Sequence, residues 1–212
     1  MKMKNCLKSS LTIILMFIFI SLQGQVKFGP KVGVNLSTMT LKSSGISFDP
    51  TIQVGFHVGV ISEISVTDNL VLQPGIFYST KGSKFKVSYS QLSYEASIAP
   101  SYVDIPVNVL YYFGSGKTKI SLFAGPYLAY GISGKSESDG ETSDISFGNT
   151  DNNDMKPLDF GLNIGVGVNL NGLVISAQYG LGLANLVPSS TSDGEMKNRV
   201  IGISLAYLLG GK

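Results

Sequence analysis

A chain of 212 residues suits one domain, and no linker-like composition divides it. Its formal charge of +2 comes from a basic start: without Lys2, Lys4 and Lys8 there remain 13 basic against 14 acidic residues, a net charge of −1. That balance excludes the basic footprint of a nucleic-acid-binding protein.

Residues 1–24 differ in kind from the rest. Three lysines precede an apolar run from Leu11 to Leu22, followed by Gly24 and Gln25, the pattern of a cleaved secretory signal. The run has about a dozen residues where a spanning helix needs about 20, so a retained anchor is the weaker reading. Cleavage is expected between residues 21 and 26. It removes the lone cysteine, Cys6, which precedes the apolar run and so is not placed as a lipoprotein acylation cysteine. Residues 25–212, about one-eighth glycine, form the expected domain. They hold no apolar run long enough for a membrane helix, so any crossing must be made by strands.

Period-two alternation predicts eight strands. Strand one covers about 27–37, strand two about 51–65 and strand three 70 to about 81. In strand four, 102–113, Val103, Ile105, Val107, Val109, Tyr111 and Phe113 share one face, against Tyr102, Asp104, Pro106, Asn108 and Tyr112. Strand five runs over about 117–133, with Ile120, Leu122, Leu128, Tyr130 and Ile132 on the apolar face. Strand six, 160–170, sets Phe160, Leu162, Ile164, Val166, Val168 and Leu170 against glycine and asparagine, a separation that a helix would scatter. After Asn171-Gly172, a type I′ hairpin signal, strand seven repeats the logic over 173–183, and strand eight does so over 201–209.

Short connections at 67–69, 114–116 and 171–172 alternate with long ones at about 38–50, 82–101, 134–158 and 186–198. An even strand number, tight turns at one end and long loops at the other predict an all-β, eight-stranded antiparallel up-and-down transmembrane barrel, with short periplasmic turns and long extracellular loops. The non-apolar face is largely Gly, Ser, Asn and Gln, which suits a narrow interior better than a solvated exterior. A soluble lipocalin-like barrel, the main rival, would invert these faces. Pro74 and Pro126 fall near strand middles, lack an N–H, and read as bulge or kink positions.

The stretches Phe28-Gly-Pro-Lys-Val-Gly-Val-Asn-Leu-Ser37, Tyr102-Val-Asp-Ile-Pro-Val-Asn-Val-Leu-Tyr-Tyr-Phe113, Gly125-Pro-Tyr-Leu-Ala-Tyr130 and Asp159-Phe-Gly-Leu-Asn-Ile-Gly-Val-Gly167 carry a resemblance. They look like the small outer-membrane β-barrel domain family of Bacteroidetes-type bacteria, a porin-family group that includes proteins resembling the PorT secretion component. The resemblance implies the fold and a place in the cell outer membrane, with little about activity. Barrels of this kind commonly end on an aromatic residue read by the insertion machinery. Here the last aromatic is Tyr207, so either it serves from an internal position or that signal is weak.

Catalysis on a barrel generally needs a histidine beside a serine or carboxylate. The one histidine, His57, lies mid-strand on the inward face of strand two, so its structural reading outweighs a catalytic one. Lys31, His57, Glu63 and Asp104 are expected to form a polar network that fills the lumen, because an unpaired charge there is costly. Lys81 and Asp159 belong to the same inward set. The carboxylates Glu137, Asp139, Glu141, Asp144, Asp151 and Asp154 do not follow an EF-hand spacing and read as a solvated loop. The glycines Gly161, Gly165 and Gly167 lack the following helix of a phosphate cradle. No metal, cofactor or catalytic residue is expected.

Three functional classes follow. The first is a structural or surface-interaction barrel acting through its long extracellular loops, with a plugged lumen. The second is a narrow channel or a component of an outer-membrane transport or secretion assembly, and the third, an enzyme, is least supported. The expected partners are outer-membrane lipids, the barrel-insertion machinery during assembly, and an extracellular or envelope protein, with no nucleic acid among them. N-terminal sequencing of protein from the outer-membrane fraction is expected to begin between residues 21 and 26; an intact Met1, or recovery from the soluble periplasm, would overturn the signal assignment.

Overall fold

The computed structural model describes residues 26–43, 46–47, 49–89, 92–138, 140–188 and 194–210. The expected signal segment, residues 1–24, lies outside the described residues. Eight long strands dominate: β1 (Val26–Ser43), β2 (Gln53–Ser65), β3 (Leu70–Thr80), β4 (Leu92–Phe113), β5 (Thr118–Ser138), β6 (Leu158–Leu170), β7 (Leu173–Gly182) and β8 (Glu195–Tyr207). Each is antiparallel to the next, and β8 returns to pair with β1, so these eight form a closed ring. Five short strands, Ile46–Ser47, Asp49–Thr51, Ser83–Tyr89, Glu141–Asp144 and Leu209–Gly210, extend its ends.

Closure follows from alternation plus a fixed stagger. Leu36 pairs with Ile201, then in turn come Tyr179, Ile164, Ala124, Val109, Leu72 and Ile64, and finally Val26, back on β1 but ten residues from the start. A stagger of ten over eight strands tilts them by roughly 40° and leaves an interior that side chains can fill. Every residue on that path faces outward. The outer face is apolar all round, as Val34, Phe56, Val107, Leu122, Ile164, Ile175 and Ile203 show by their exposure. Aromatic residues gather at its two rims: Phe28, Tyr111, Phe113 and Tyr207 toward the short turns, Phe56, Tyr78, Tyr130 and Phe160 toward the other end. No helix among the described residues is long and apolar enough to cross a membrane.

The tight turns form as their residues dictate. Asn171 and Gly172 take φ values of 55° and 100°, the left-handed pair of a type I′ hairpin, and Asn169 Oδ1 accepts from the Gly172 N–H at 2.8 Å. Interior glycines act as sockets for rings on neighbouring strands. A methyl group at Gly33, Gly59, Gly165 or Gly161 would strike His57, Phe77, Phe123 or Tyr127 respectively.

Two expectations need correction. Pro74 and Pro126 do not mark bulges: β3 and β4 keep one register from Leu70 opposite Tyr111 to Thr80 opposite Ser101, and β5 and β6 keep theirs through Pro126 opposite Leu162. The irregularity lies between Ser101 and Tyr102, which pair with Ser133 and Gly131 and leave Ile132 as the extra residue. The long connections at 82–101 and 134–158 are also not simple loops. Ser83–Tyr89 pairs with the first part of β4, β4 and β5 stay paired out to Ala96 opposite Ser138, and Glu141–Asp144 adds another strand. Over 134–144 both faces are polar and no alternation marks the strand, whereas in 83–89 Phe85, Val87 and Tyr89 alternate with Lys84, Lys86 and Ser88, a strand signal inside the expected loop, and Phe85 and Ile98 turn to the interior.

Facing and depth are testable by charge insertion. Val166→Arg, mid-belt on β6, is expected to lower the free energy of folding into lipid vesicles by about 2–4 kcal/mol, and Thr118→Arg, at the end of β5, by no more than about 1 kcal/mol. Equal and small effects in urea titrations of both variants would refute the lipid-facing assignment.

Candidate functional site

The inward face of the ring is filled in layers, read here from the short turns toward the strand extensions. At the turn end, Glu63 on β2 is buried, and its Oε1 accepts from the Tyr112 hydroxyl of β4 at 2.7 Å and from Gln73 Nε2 of β3 at 3.0 Å. Ile61, Phe77, Val174, Ala206 and Leu208 pack beside this group, as do Val71, Leu110 and Phe123. Together they form a septum between an open polar recess on the turn side and a small cavity further in.

That central cavity, about 40 Å³, is lined by Lys31, His57, Gln73, Lys81, Asp104 and Asn108 among others. It has room for about two or three waters and nothing larger. The Lys31 ammonium lies 5.8 Å from the centroid of the Phe77 ring. His57 Nδ1 meets Asn35 Oδ1 at 2.8 Å, and its Nε2 meets Ser204 Oγ at 2.8 Å. An amide oxygen can only accept, so Nδ1 carries the proton and Nε2 accepts from the serine. Asn35 Nδ2 then donates to Ser79 Oγ at 3.1 Å and to the Thr80 carbonyl at 2.9 Å.

Serine, histidine and an orienting amide stand in the order of a nucleophile, its base and the group that fixes the base. Sequence reasoning missed this constellation because its members come from β8, β2 and β1, and Ser204 is one of many inward serines. Its surroundings withhold hydrolytic chemistry. Ser204 is 4% exposed, no substrate fits the adjoining cavity, and its strand is paired on both sides, with Gly33 and with Ser176 opposite, so no free N–H pair stands ready for an oxyanion. The arrangement satisfies the buried polar groups of three strands.

The next layer is ionic. The Lys81 ammonium sits 3.0 Å from Asp104 Oδ2 and 3.7 Å from Asp159 Oδ2, with the rings of Tyr127 and Tyr102 at 4.5 and 5.1 Å. Asp159, fully buried, also accepts from Asn198 Nδ2 at 2.9 Å and from the Tyr127 hydroxyl at 3.3 Å. The structure therefore places Lys31, His57, Glu63 and Asp104 all inside the ring, yet hydrogen bonds do not join them: Glu63, His57 and Asp104 head three separate groups. The hub of the third is Lys81, just beyond the end of β3.

Above the ionic layer the interior turns apolar. Met39, Phe85, Ile145, Met155, Ala184 and Leu186 form a buried cluster, with Leu41, Ile98, Phe147 and Met196 against it. The segment after Glu141–Asp144 folds into the mouth to supply Ile145 and Met155. It is tied down where Ile145 N donates to the Gly134 carbonyl at 2.9 Å, Lys156 N to Leu186 O at 2.9 Å and Ser146 N to Asp154 Oδ2 at 2.7 Å. Of the acidic residues in this region, Glu137, Glu141, Asp144, Asp151 and Asp154 are exposed, while Asp139 lies outside the described residues. Among the described residues no group of three His, Cys, Asp or Glu side chains gathers to hold a metal.

The ionic layer makes a quantitative claim. Lys81→Met leaves two carboxylates facing each other without a cation and is expected to lower stability by about 3–5 kcal/mol, whereas Asp104→Asn leaves the Lys81–Asp159 pair and costs less. Urea titration in vesicles checks the order; a larger loss for Asp104→Asn would remove Lys81 from the centre of the layer.

Comparison with known proteins bears on this architecture. Among solved structures, the outer membrane protein OprG from Pseudomonas aeruginosa superposes with a TM-score of 0.52 at 11% identity, over 88% of this chain and 96% of that one. Neisserial surface protein A (NspA) gives a TM-score of 0.45 at 13% identity, over 85% and 96% of the two chains. Ail, the attachment invasion locus protein of Yersinia pestis, gives 0.43 at 14% identity, over 87% and 99%. No curated protein matches the chain. The model of the family described as outer membrane protein beta-barrel domain matches residues 21–187, which is 167 of the 212 residues. A match of that extent means that the chain belongs to the outer membrane protein beta-barrel domain family and resides in the outer membrane, in keeping with the closed sheet described above.

Proposed function

We propose that this outer-membrane barrel has a structural or surface-interaction role, exerted by the strand extensions and loops at its extracellular end, and that its lumen is plugged. The observation that carries the reading is the contrast between the two parts of the molecule. The interior is occupied by the Glu63, His57 and Lys81 groups and closed over by the apolar Met39–Met155 cluster. Outside it, β4 and β5 remain paired six residues past Ile132, roughly 20 Å of strand beyond the last large outward apolar residue. A paired extension of that length is a stiff platform for contacts. The role is non-enzymatic in this reading, with His57 bonded for structure. Cleavage of residues 1–24 to leave a barrel domain over 25–212, and membership of the PorT-like group of Bacteroidetes-type bacteria, belong to the same proposal and rest on the sequence motifs.

A second reading, a narrow channel or a component of a transport or secretion assembly, is favoured by one feature. The recess at the turn end and the central cavity are parted by a single septum, the Glu63–Gln73–Tyr112 group with the apolar side chains packed beside it. Planar-bilayer recording on refolded protein separates the two. The plugged barrel is expected to give no steady unitary conductance, and Ile145→Asp with Met155→Asp, which alter only the mouth cluster and leave the ionic layer and the septum in place, to give none either. A large unitary conductance from the unaltered protein would favour the channel.

A further inference from the structure

The recess at the short-turn end, about 300 Å³, reaches the lower size of a small-molecule pocket and opens toward the periplasm. Lys27, Lys117 and Lys119 line it, from the start of β1, the β4–β5 turn and the start of β5. Lys27 and Lys119 hold inward positions, in phase with the buried Lys31 and Ser121, so they point into the mouth. A lysine serving only the lipid interface would sit on the outward face and snorkel. Among the described residues none of the three ammoniums is in an ion pair. The recess also holds two carboxylates, so its three lysines leave a formal net charge of +1: Glu63, directly opposite Lys27 in the strand register, receives the Tyr112 and Gln73 hydrogen bonds at the floor, with the Lys119 ammonium 6.0 Å from the centroid of the Tyr112 ring. Asp68 is left in the β2–β3 turn. At the opposite end of the barrel the exposed Glu137, Glu141, Asp144, Asp151 and Asp154 outnumber the exposed Lys84 and Lys135, so that end is acidic where this mouth is basic.

We propose that this recess is a periplasm-facing binding site for a small multivalent anion bearing phosphate or carboxylate groups, held by Lys27, Lys117 and Lys119. Three ammoniums around one polar hollow supply up to nine N–H donors, suit point-charge recognition of such groups, and compensate the anion's loss of water. The same chemistry could reach the site as a free periplasmic solute or as the headgroup of an anionic phospholipid in the inner leaflet.

Isothermal titration with inorganic pyrophosphate on the chain refolded in maltoside micelles tests the free-solute source. A second arm measures thermal stability in bilayer discs of phosphatidylcholine with and without phosphatidylglycerol. The variants are Lys27→Gln/Lys119→Gln and, as a control at the far end, Lys84→Gln; heat-modifiable gel mobility reports that each is folded. Pyrophosphate binding that weakens about tenfold or more in the double variant and is unchanged in Lys84→Gln supports a free anion. Absence of that binding, together with stabilisation by phosphatidylglycerol that the double variant loses, supports a headgroup. No response in either arm, or a response that the double variant retains, overturns the site.

Discussion

Hydrocarbon offers no hydrogen-bond partner, and from that one constraint the rest of this molecule follows. Each backbone N–H and C=O on the apolar face must be paired within the sheet, and a sheet with an open edge cannot meet the condition. Closure of β8 onto β1 removes the edge, and the ten-residue stagger fixes how wide the closed ring is. Once the width is set, the interior is too narrow for bulk water yet lined by strands whose alternate residues must go somewhere. Small residues, ring sockets and polar side chains bonded in sets are the solution the chain uses, with Asp104 Oδ1, Asn108 Oδ1 and Asn198 Oδ1 left without a protein partner among the described residues.

Polar residues inside such a ring stabilise it only in sets, because each donor or charge left alone costs more than a pair returns. The three groups headed by Glu63, His57 and Lys81 are such sets, and each ties together strands that are not all neighbours. Ser204 of β8 reaches His57 of β2, and Lys81 beyond β3 reaches Asp159 of β6. Cross-lumen bonds of this kind brace the ring from within. The apolar cluster beyond them closes the extracellular mouth by ordinary core packing, built from loop segments around Ile145 and Met155 rather than from ring strands alone. The two ends therefore differ in kind, one capped and acidic, the other open and basic.

Much of the barrel could be read from alternation. Strands six to eight announce themselves because Phe160 through Leu170, Leu173 through Leu183 and Ile201 through Leu209 separate large apolar from small or polar residues in phase, with Val174 and Leu208 as inward apolar exceptions near the short turns. The outward or inward sense of His57, Lys31, Glu63 and Asp104 comes from the same phase, and all four lie inside. What alternation does not carry is which inward residue meets which. Pairing across the lumen depends on the stagger, and a sequence pattern of period two contains no stagger. Hence Lys81 was a member of the inward set and not its hub, and the Ser204–His57–Asn35 contact was unforeseen. The extension at 134–144 has no legible pattern because, beyond the bilayer, neither face of a strand has to be apolar; that at 83–89 does alternate, with Phe85, Val87 and Tyr89 in phase, but on a stretch shorter than the transmembrane strands. Pro74 and Pro126 misled for a related reason: a missing N–H leaves a gap in one ladder, and the neighbouring pairs hold the register without a bulge.

The central claim is a closed ring with lipid on one face and a filled interior on the other. Spin labels placed singly along residues 201–207 of β8 in lipid vesicles test it through their accessibility to oxygen, which partitions into lipid, and to a water-soluble nickel chelate. The account predicts high oxygen accessibility at 201, 203, 205 and 207, and low accessibility to both reagents at 202, 204 and 206. Ready access of the nickel chelate to the even positions would show an open, watered bore, and loss of the period-two pattern would contradict the barrel itself.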